Sequence, residues 1–179
     1  MPDVKNKIHK NYKDLKKKIL AHKTLGHTIV CTIGSWDMLH IGHLRYLNEA
    51  SKRGDILLVG TDSDRGIKSY KGPNRPIIPE GERMEMLSYQ DCVDYVTLVD
   101  DIDRKGAWQY RLIKEIPIDL FVAVSGNSYT KGQLRVIKKY CGELVVLPRQ
   151  AEKTSSTDII QNVLKSHLAG EVAKLRAKK

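Results

Sequence analysis

Residues 28–43 read Thr-Ile-Val-Cys-Thr-Ile-Gly-Ser-Trp-Asp-Met-Leu-His-Ile-Gly-His, and the fold class follows from this stretch. Its first six residues, 28–33, are an apolar run rich in β-branched side chains, which is typical of a buried strand. A polar loop follows directly, and a helical pattern begins at about Ile41. A strand that passes through a short loop into a helix is the first half of a βαβ unit, so the stretch indicates an α/β fold.

The rest of the chain repeats this alternation of short apolar strands and helices. Further strands are predicted at residues 55–60, 95–99, 120–124 and 144–147. Helices are predicted at residues 41–53, 80–89, 105–115, 131–140 and 158–168, and residues 63–79 are predicted to be a polar loop. This order predicts a Rossmann-like α/β domain whose parallel sheet of about five strands has helices on both faces. Ligands of such sheets bind at the carboxyl ends of the strands.

An N-terminal amphipathic helix is predicted ahead of this domain. Apolar side chains recur at intervals of three and four, with lysines on the other face, at Val4, Ile8, Tyr12, Leu15 and Ile19. This stripe would pack against the α/β domain or against a second subunit, so a homodimer is one alternative. We therefore divide the chain into a basic N-terminal helix, the α/β domain and a basic C-terminal tail, at residues 1–26, 27–168 and 169–179.

The net charge of +10 is concentrated at the two ends of the chain. Residues 1–23 carry eight lysines and two aspartates, and residues 165–179 carry five basic residues and one glutamate, whereas residues 24–164 carry 18 basic and 18 acidic residues. Proteins that bind nucleic acid usually place basic charge on the folded surface, with aromatic side chains between. The distribution therefore favours solvated basic helices, and no nucleic-acid partner is expected.

Hydropathy and the cysteines bear on the compartment. No apolar run approaches the roughly 20 residues that span a bilayer, and the first residues lack the apolar core of a signal peptide. Cys31, Cys92 and Cys141 lie far apart and are not spaced as disulfide or zinc ligands. We therefore expect a cytoplasmic protein without a membrane span.

Two histidines stand at the first strand-to-helix junction. His40 and His43 are three residues apart, and Gly42 between them lets the backbone approach a ligand closely. The start of a helix binds phosphates, because its N–H groups point outward and its dipole favours anions. A zinc site would need a third ligand that is not found nearby, and a nucleophilic serine or cysteine would need its own base. The pattern therefore favours phosphate transfer, with no metal-ligand set from the protein.

Residues 34–43 resemble the G-x-F-D-x-x-H-x-G-H signature of the cytidylyltransferase-like nucleotidyltransferases. Three more segments fall in the order and spacing of that family, namely Lys71–Pro76, Glu82–Met84 and Ser155–Ile160. The resemblance covers about residues 14–168 and comes closest to the adenylyltransferase domain of bacterial ADP-heptose synthases. Class I aminoacyl-tRNA synthetases share the histidine tetrapeptide, but this chain is too short and has no Lys-Met-Ser-Lys-Ser-like segment.

The resemblance implies roles for matching positions. His40 and His43 would act in catalysis by stabilising the five-coordinate transition state at the α-phosphate. Lys68 and Lys71 would bridge the triphosphate and the acceptor phosphate. The nucleotide-binding residues would be Gly34, Asp37, Gly42, Arg83, Ser155, Ser156 and Thr157, and Arg149 is a lower-ranked further phosphate ligand. For the serine–threonine run, capping of the last helix is the alternative reading.

One loop departs from the heptose-type enzymes, which tend to have Lys-Gly-Gly-Asp-Tyr after the fourth strand. This chain has Ser-Gly-Asn-Ser-Tyr at residues 125–129. The loss of a lysine and an aspartate changes the charge offered to the base or the acceptor. We therefore assign substrate specificity to this loop, with the candidate residues Ser125, Asn127, Ser128 and Tyr129.

The predicted reaction is transfer of a nucleoside monophosphate, AMP from ATP, to a phosphorylated sugar such as a heptose 1-phosphate, with release of pyrophosphate. The partners are thus a nucleoside triphosphate and a phosphorylated small-molecule acceptor. Mg²⁺ would be bound mainly through the triphosphate. Three alternatives stay open: a cytidylyltransferase acting on glycerol 3-phosphate or another polyol phosphate, an FMN adenylyltransferase, and a nucleotide-binding regulator without turnover.

Overall fold

The computed structural model describes residues 4–126 and 129–177, and these contain a five-stranded parallel sheet. Its strands are β1 Ile29–Gly34, β2 Ile56–Asp62, β3 Tyr95–Val99, β4 Leu120–Val124 and β5 Glu143–Leu147. They lie side by side in the order β3-β2-β1-β4-β5, and every neighbouring pair is parallel. The predicted Rossmann-like fold class is therefore confirmed.

Helices cover both faces of the sheet. They are α1 Tyr12–Thr24, α2 Ile41–Ser51, α3 Asp64–Lys71, α4 Glu80–Ser88, α5 Arg111–Glu115, α6 Lys131–Tyr140 and α7 Ser156–Ala177. Alternate strand residues point to opposite faces, so Ile29 and Cys31 join one apolar core while Val30 joins the other. Helices α1, α5 and α6 pack in the first core, and α2 and α4 in the second.

The strand order creates a crevice at the carboxyl edge of the sheet. β1 lies at the centre, and the chain first builds outward through β2 to β3. It then returns to the other side of β1 to add β4 and β5. The loops after β1 and β4 diverge at this switch point, which is where ligands of open α/β sheets bind.

The N-terminal stripe is only partly helical, so the predicted start of that helix is wrong. Val4–Lys7 is a short 3₁₀ turn, and Ile8 forms a bridge to Val96 at the edge strand β3. The α-helix begins only at Tyr12, after the Asn11 side chain accepts a hydrogen bond from the Lys13 amide at 2.9 Å. Pairing with a sheet edge has displaced the helix there, because a bridge to β3 requires extended backbone at Ile8.

The helical half of the stripe is used within the chain. Tyr12 is 8% exposed, and Leu15 and Ile19 are fully buried in the core beneath α1. The stripe therefore gives no support to a second subunit, and the homodimer stays a prediction.

Three other predicted boundaries were wrong. The predicted loop 63–79 contains α3, which begins where the Ser63 hydroxyl accepts from the Gly66 amide at 3.0 Å. The predicted helix 105–115 is helical only from Arg111, because the preceding residues form a hairpin. The last helix, α7, continues to Ala177, through most of the segment predicted as a tail.

We expect the core side of α1 to contribute strongly to stability. A Leu15→Ala variant should lower the free energy of unfolding by about 2–5 kcal/mol, because it leaves a cavity in a packed core. Leu20→Ala, at a position that is 46% exposed on the same helix, is the matched control and should change it far less. Urea unfolding followed by circular dichroism measures both. Equal losses in the two variants would contradict the packing of α1.

Candidate active site

A cleft of about 1140 Å³ opens at the carboxyl edge of the sheet. Loops that follow all five strands line it, together with the start of α7. The cleft brings together most of the residues predicted from the sequence, namely Gly34, His40, Gly42, His43, Lys71, Ser125, Tyr129, Arg149, Ser155, Ser156 and Thr157. Lys68, Asp37 and Arg83 are not among its lining residues.

The two histidines form a stacked pair at the start of α2. Their ring centroids are 4.0 Å apart, with the planes inclined by 29°. His40 is the N-cap of α2, and its Nδ1 accepts a hydrogen bond from the Gly42 amide at 3.1 Å. The neutral His40 ring therefore carries its proton on Nε2, which is left as a donor. His43 is held from its other side by the edge-on indole of Trp36, at 5.6 Å between centroids.

Both histidines are kept neutral by their surroundings. Burial and, secondarily, the charge of Arg149 lower the pKa of His40. Burial lowers the pKa of His43 to about 3, with His40 and Lys71 acting in the same direction. Nδ1 of His43 is buried and has no hydrogen-bond partner in the described part of the chain. The two histidines are thus uncharged. A bound anion would supply a negative charge beside them, which favours the protonated form of a histidine.

Gly42 is required by close packing. A Cβ atom built there would lie 2.9 Å from the Cβ of Ala151 and 2.9 Å from Cε1 of His40. The chain that follows β5 therefore touches the start of α2 at this glycine. A side chain here would push the His40 ring or the Ala151 segment away from the cleft.

The two predicted lysines are placed differently, although both lie on α3. The Lys71 ammonium donates to the Ser35 hydroxyl at 2.7 Å and lines the cleft. Burial and then the neighbouring Arg75 lower the pKa of Lys71. Lys68 is exposed and lies outside the cleft.

Asp37 lies behind the wall of the cleft. Its carboxylate is fully buried and pairs with Arg75, whose Nε and Nη2 both lie 2.7 Å from Oδ2. The same carboxylate accepts from the amides of Ile77 and Ile78, each at 3.0 Å from Oδ1. Asp37 therefore ties the loop before α2 to the loop before α4.

The loop around Asp37 has an unusual backbone. Trp36 and Met38 have φ angles of 51° and 54°, in the left-handed region that side chains disfavour. Such residues persist where surrounding contacts hold the backbone in place. Here the Asp37 bonds and the Trp36 indole, which donates to the Gly60 carbonyl at 2.8 Å, supply those contacts.

Arg83 is a buried structural residue. It is 0% exposed and donates to the carbonyls of Ser35, Ile78 and Asp62 and to the Asp64 carboxylate. These bonds join the loops after β1 and β2 to α4. The arginine thus holds these loops together, and it is not among the residues that line the cleft.

The start of α7 presents its hydroxyls to the cleft. Ser155 exchanges hydrogen bonds with Asp158, since its hydroxyl donates to Oδ2 at 2.5 Å and accepts from the amide at 3.1 Å. The Ser156 hydroxyl donates to the Asp37 carbonyl at 2.6 Å. Thr157 is exposed, and Arg149 lines the same part of the cleft. Capping and anion binding are therefore compatible at this helix end.

The predicted specificity loop is only partly described. Ser125 and Tyr129 both line the cleft, whereas Asn127 and Ser128 lie outside the described residues. The Tyr129 hydroxyl donates to the Ile33 carbonyl at 2.8 Å, so this side chain is anchored to the end of β1.

Sequence reasoning missed the hairpin that precedes α5. The cleft is also lined by residues of this segment, namely Asp101, Ile102, Lys105, Trp108 and Tyr110, of which the last three lie in the range predicted to be helical. Gly106 and Asp103 beside Trp108 are typical turn residues, and they were the available signal. Tyr70, which donates to the Asp62 carboxylate at 2.6 Å, was also missed.

Neither a metal-binding cluster nor a membrane-spanning helix occurs among the described residues. They contain no cluster of three or more histidine, cysteine, aspartate or glutamate side chains arranged to hold a metal ion. Within the same ranges, no helix has the length and apolar character needed to cross a bilayer.

The buried neutral His43 predicts a pH dependence of stability. Its folded pKa of about 3 lies below the unfolded value of 6.5, so the unfolded chain binds the extra proton between these values. The free energy of unfolding should therefore fall as the pH falls below 6.5, by about 1–2 kcal/mol from this residue at pH 5. Urea unfolding at pH 7.5 and 5 should show a weaker dependence in His43→Asn than in the wild type. An unchanged dependence would contradict the buried neutral ring, and His167→Asn on exposed α7 is the control.

The Asp37–Arg75 pair should be essential for the loops around the cleft. Removing one partner of a buried ion pair leaves the other charge without compensation, so Asp37→Asn should lower the free energy of unfolding by about 3–5 kcal/mol. Asp91→Asn, on an exposed turn, should have little effect. Chemical denaturation measures both variants. If Asp37→Asn were as stable as Asp91→Asn, the clamp would not be structural.

Comparisons with known proteins agree with this architecture. The bifunctional protein HldE of Geotalea uraniireducens (strain Rf4) is 37% identical over 165 residues, which cover 90% of this chain and 32% of that protein. The bifunctional protein HldE of Geobacter metallireducens is 36% identical over 161 residues, which cover 88% of this chain and 31% of that protein. The chain thus spans about a third of the length of the curated relatives it matches.

Two crystal structures share the fold. The lipopolysaccharide core biosynthesis protein from Thermoplasma volcanium GSS1 matches with a TM-score of 0.58 and 26% identity, over 69% of this chain and 98% of that one. The pantoate-beta-alanine ligase from Francisella tularensis, complexed with beta-gamma ATP and beta-alanine, matches with a TM-score of 0.54 and 14% identity, over 85% and 74%. The sequence profile described as cytidylyltransferase-like matches residues 31–162. The predicted family is therefore confirmed, and this chain belongs to the cytidylyltransferase-like family.

Proposed function

We propose that this chain is a nucleotidyltransferase that transfers AMP from ATP to the phosphate of a phosphorylated sugar, such as a heptose 1-phosphate. The observation that carries the proposal is the stacked pair of His40 and His43, held at a helix start inside a cleft that also contains Lys71, Arg149 and the start of α7. Neutral donors, cations and a helix N-terminus are the groups that stabilise charge on phosphoryl oxygens.

The triphosphate would lie along the β5 side of the cleft. The start of α7 offers outward N–H groups, the Ser156 and Thr157 side chains and the positive end of a helix dipole. Arg149 adds a full positive charge beside His40, as its effect on the His40 pKa indicates. With the β- and γ-phosphates at α7, the α-phosphate would lie at the histidines.

The histidine pair would act on the α-phosphate. In the transition state, negative charge spreads over the equatorial oxygens, and His40, whose Nδ1 accepts from Gly42, would donate its Nε2 proton to one of them. An approaching phosphate would also raise the low pKa of His43, because it supplies the opposite charge that the protein withholds. The histidines would thereby stabilise the transition state more strongly as negative charge develops on the phosphoryl oxygens.

The acceptor phosphate would attack in line from the α3 side. One of its oxygens forms a bond to the α-phosphorus while the bond from that phosphorus to the β-bridging oxygen breaks, and pyrophosphate leaves with the electron pair. Lys71 lies at this side and could exchange its Ser35 contact for a phosphate oxygen. No covalent enzyme intermediate is needed. Lys68 would reach phosphate only through a movement of α3 or its own long side chain.

A magnesium ion would be bound mainly by the phosphates. The carboxylate of Asp37 is already saturated by Arg75 and two amides, and the described residues offer no carboxylate cluster. Magnesium commonly keeps several waters and takes phosphate oxygens as ligands, so the site fits this mode of binding. When bound, the ion would neutralise the leaving pyrophosphate.

The sugar acceptor is supported by the relatives. The resemblance to the adenylyltransferase domain of bacterial ADP-heptose synthases and the 26% identity to a lipopolysaccharide core biosynthesis protein both favour a sugar phosphate. Glycerol 3-phosphate and FMN are the alternative acceptors, and CTP the alternative donor.

The test is pyrophosphate release from each of the four nucleoside triphosphates against heptose 1-phosphate, other sugar 1-phosphates, polyol phosphates and FMN. We expect ATP with a sugar 1-phosphate to be the preferred pair. A His43→Ala variant should lower kcat by a factor of about 10² or more, because a transition-state donor is lost. His167→Ala, at an exposed position of α7, is the matched control and should keep the wild-type rate. A His43→Ala variant with wild-type turnover would contradict the proposal.

A further inference from the structure

The segment between β3 and α5 forms a hairpin that the proposed chemistry does not use. We call residues 101–110 the cleft hairpin. Ile102 pairs with Trp108 in antiparallel fashion, and the Asp103 amide donates to the Ala107 carbonyl at 2.9 Å. The Asp103 carboxylate accepts from the amides of Lys105 and Ala107, at 2.8 and 2.9 Å. These bonds fix the backbone of the hairpin that carries Trp108.

The tip of the cleft hairpin meets α3. Gly106 has a φ of +81°, and a Cβ built there would lie 3.2 Å from the Cβ of Ser69. The hairpin therefore closes against the helix that carries Lys71. Residues of both the hairpin and α3 line the cleft.

Two buried polar atoms of the cleft hairpin lack a hydrogen-bond partner. Nε1 of Trp108 and Oδ1 of Asp101 have no hydrogen-bond partner within residues 4–126 and 129–177. The other oxygen of Asp101 accepts from the Arg111 amide. Burial raises the pKa of Asp101, and the nearby Trp108 indole N–H acts in the opposite direction. The two groups therefore lie close together, but they do not form a hydrogen bond of ordinary geometry.

A hydroxyl group has the hydrogen-bonding capacity that both atoms lack. It accepts one hydrogen bond through oxygen and donates another through its proton, so it can take the indole N–H and give to the carboxylate. Unsatisfied buried donors and acceptors are costly, and native structures usually provide them with a ligand or water partner.

Aromatic surface lies beside the two polar atoms. The Trp108 and Tyr110 ring centroids are 4.3 Å apart, and the Tyr129 ring is 6.2 Å from Trp108. A sugar ring presents hydroxyls at its edge and C–H groups on its faces. Aromatic side chains with a few placed polar groups are the usual lining of such ligand sites.

We propose that Trp108 and Asp101 bind a hydroxyl of the acceptor's sugar ring, and so select a cyclic polyhydroxylated phosphate over an open-chain polyol phosphate. This assignment rests on the proposed function, since it places the acceptor on the α3 side and the nucleotide on the α7 side. The cleft hairpin then determines which acceptor reaches the histidines, a role that the sequence suggested for residues 125–129.

The first test separates acceptor binding from nucleotide binding by steady-state kinetics with heptose 1-phosphate and ATP. Trp108→Phe keeps a ring and removes the N–H, and Asp101→Asn replaces the accepting oxygen or adds a competing donor. Each should raise the acceptor KM at least about tenfold while the KM for ATP and kcat change less than about threefold. Asp91→Asn is the control for loss of a carboxylate. A raised KM for ATP alone, or unchanged KM values for both substrates, would overturn the proposal.

The second test does not require turnover. The chain has two tryptophans, so a ¹⁵N-labelled sample gives two indole N–H signals, and the Trp108→Phe variant assigns them. Titration with mannose 1-phosphate should shift the Trp108 signal saturably, whereas glycerol 3-phosphate and inorganic phosphate should not. A saturable shift with mannose 1-phosphate would support the sugar site whether or not the protein turns over. Failure of every acceptor to release pyrophosphate would contradict only the proposed function. No shift with mannose 1-phosphate or heptose 1-phosphate would overturn the sugar site while leaving nucleotidyl transfer intact.

Discussion

The buried carboxylate of Asp37 is the constraint on which the cleft depends. It meets the Arg75 guanidinium and the amides of Ile77 and Ile78, while the carbonyl of the same residue accepts from Ser156 at the start of α7. A buried charge is tolerated only when it is paired and hydrogen-bonded, and here one short segment, residues 75–78, supplies all of those partners to the carboxylate. The loop before α2, and with it the histidine pair, is positioned by these bonds.

Ion pairing divides the basic side chains around the cleft into two groups, those paired with a carboxylate and those that are not. Arg75 and Arg83 are engaged with Asp37 and Asp64, so their charges are neutralised inside the protein. Lys71 and Arg149 line the cleft without an acidic partner among the ion pairs of the described residues. Burial, and secondarily these positive charges, lower the pKa values of the two histidines and keep them uncharged. A polyanion entering the cleft therefore meets free positive charge without having to displace internal pairs.

The agreement between sequence and structure differs between parts of the chain. The strands and the junction at His40 were predictable because a buried parallel strand has a local signature and a helix start follows it. The N-terminal stripe misled because spacings of four also occur by chance, and Ile8 joins the sheet edge. The sequence-based prediction that Asp37 lines the nucleotide pocket did not anticipate its ion pair with Arg75, because these residues are 38 positions apart in the chain.

From the amino-acid sequence alone follow the fold class, the family and the pairing of two histidines at the start of a helix, because each depends on local pattern or ordered motifs. Tertiary structure alone decides which of the candidate residues line the cleft. Asp37 and Arg83 turn inward, Lys71 and Arg149 line the cleft, and Trp108 enters it from a hairpin. The physical reason is that burial and charge pairing are set by contacts between distant segments, and a charged residue in a motif carries no mark of whether its partner is the protein or the substrate.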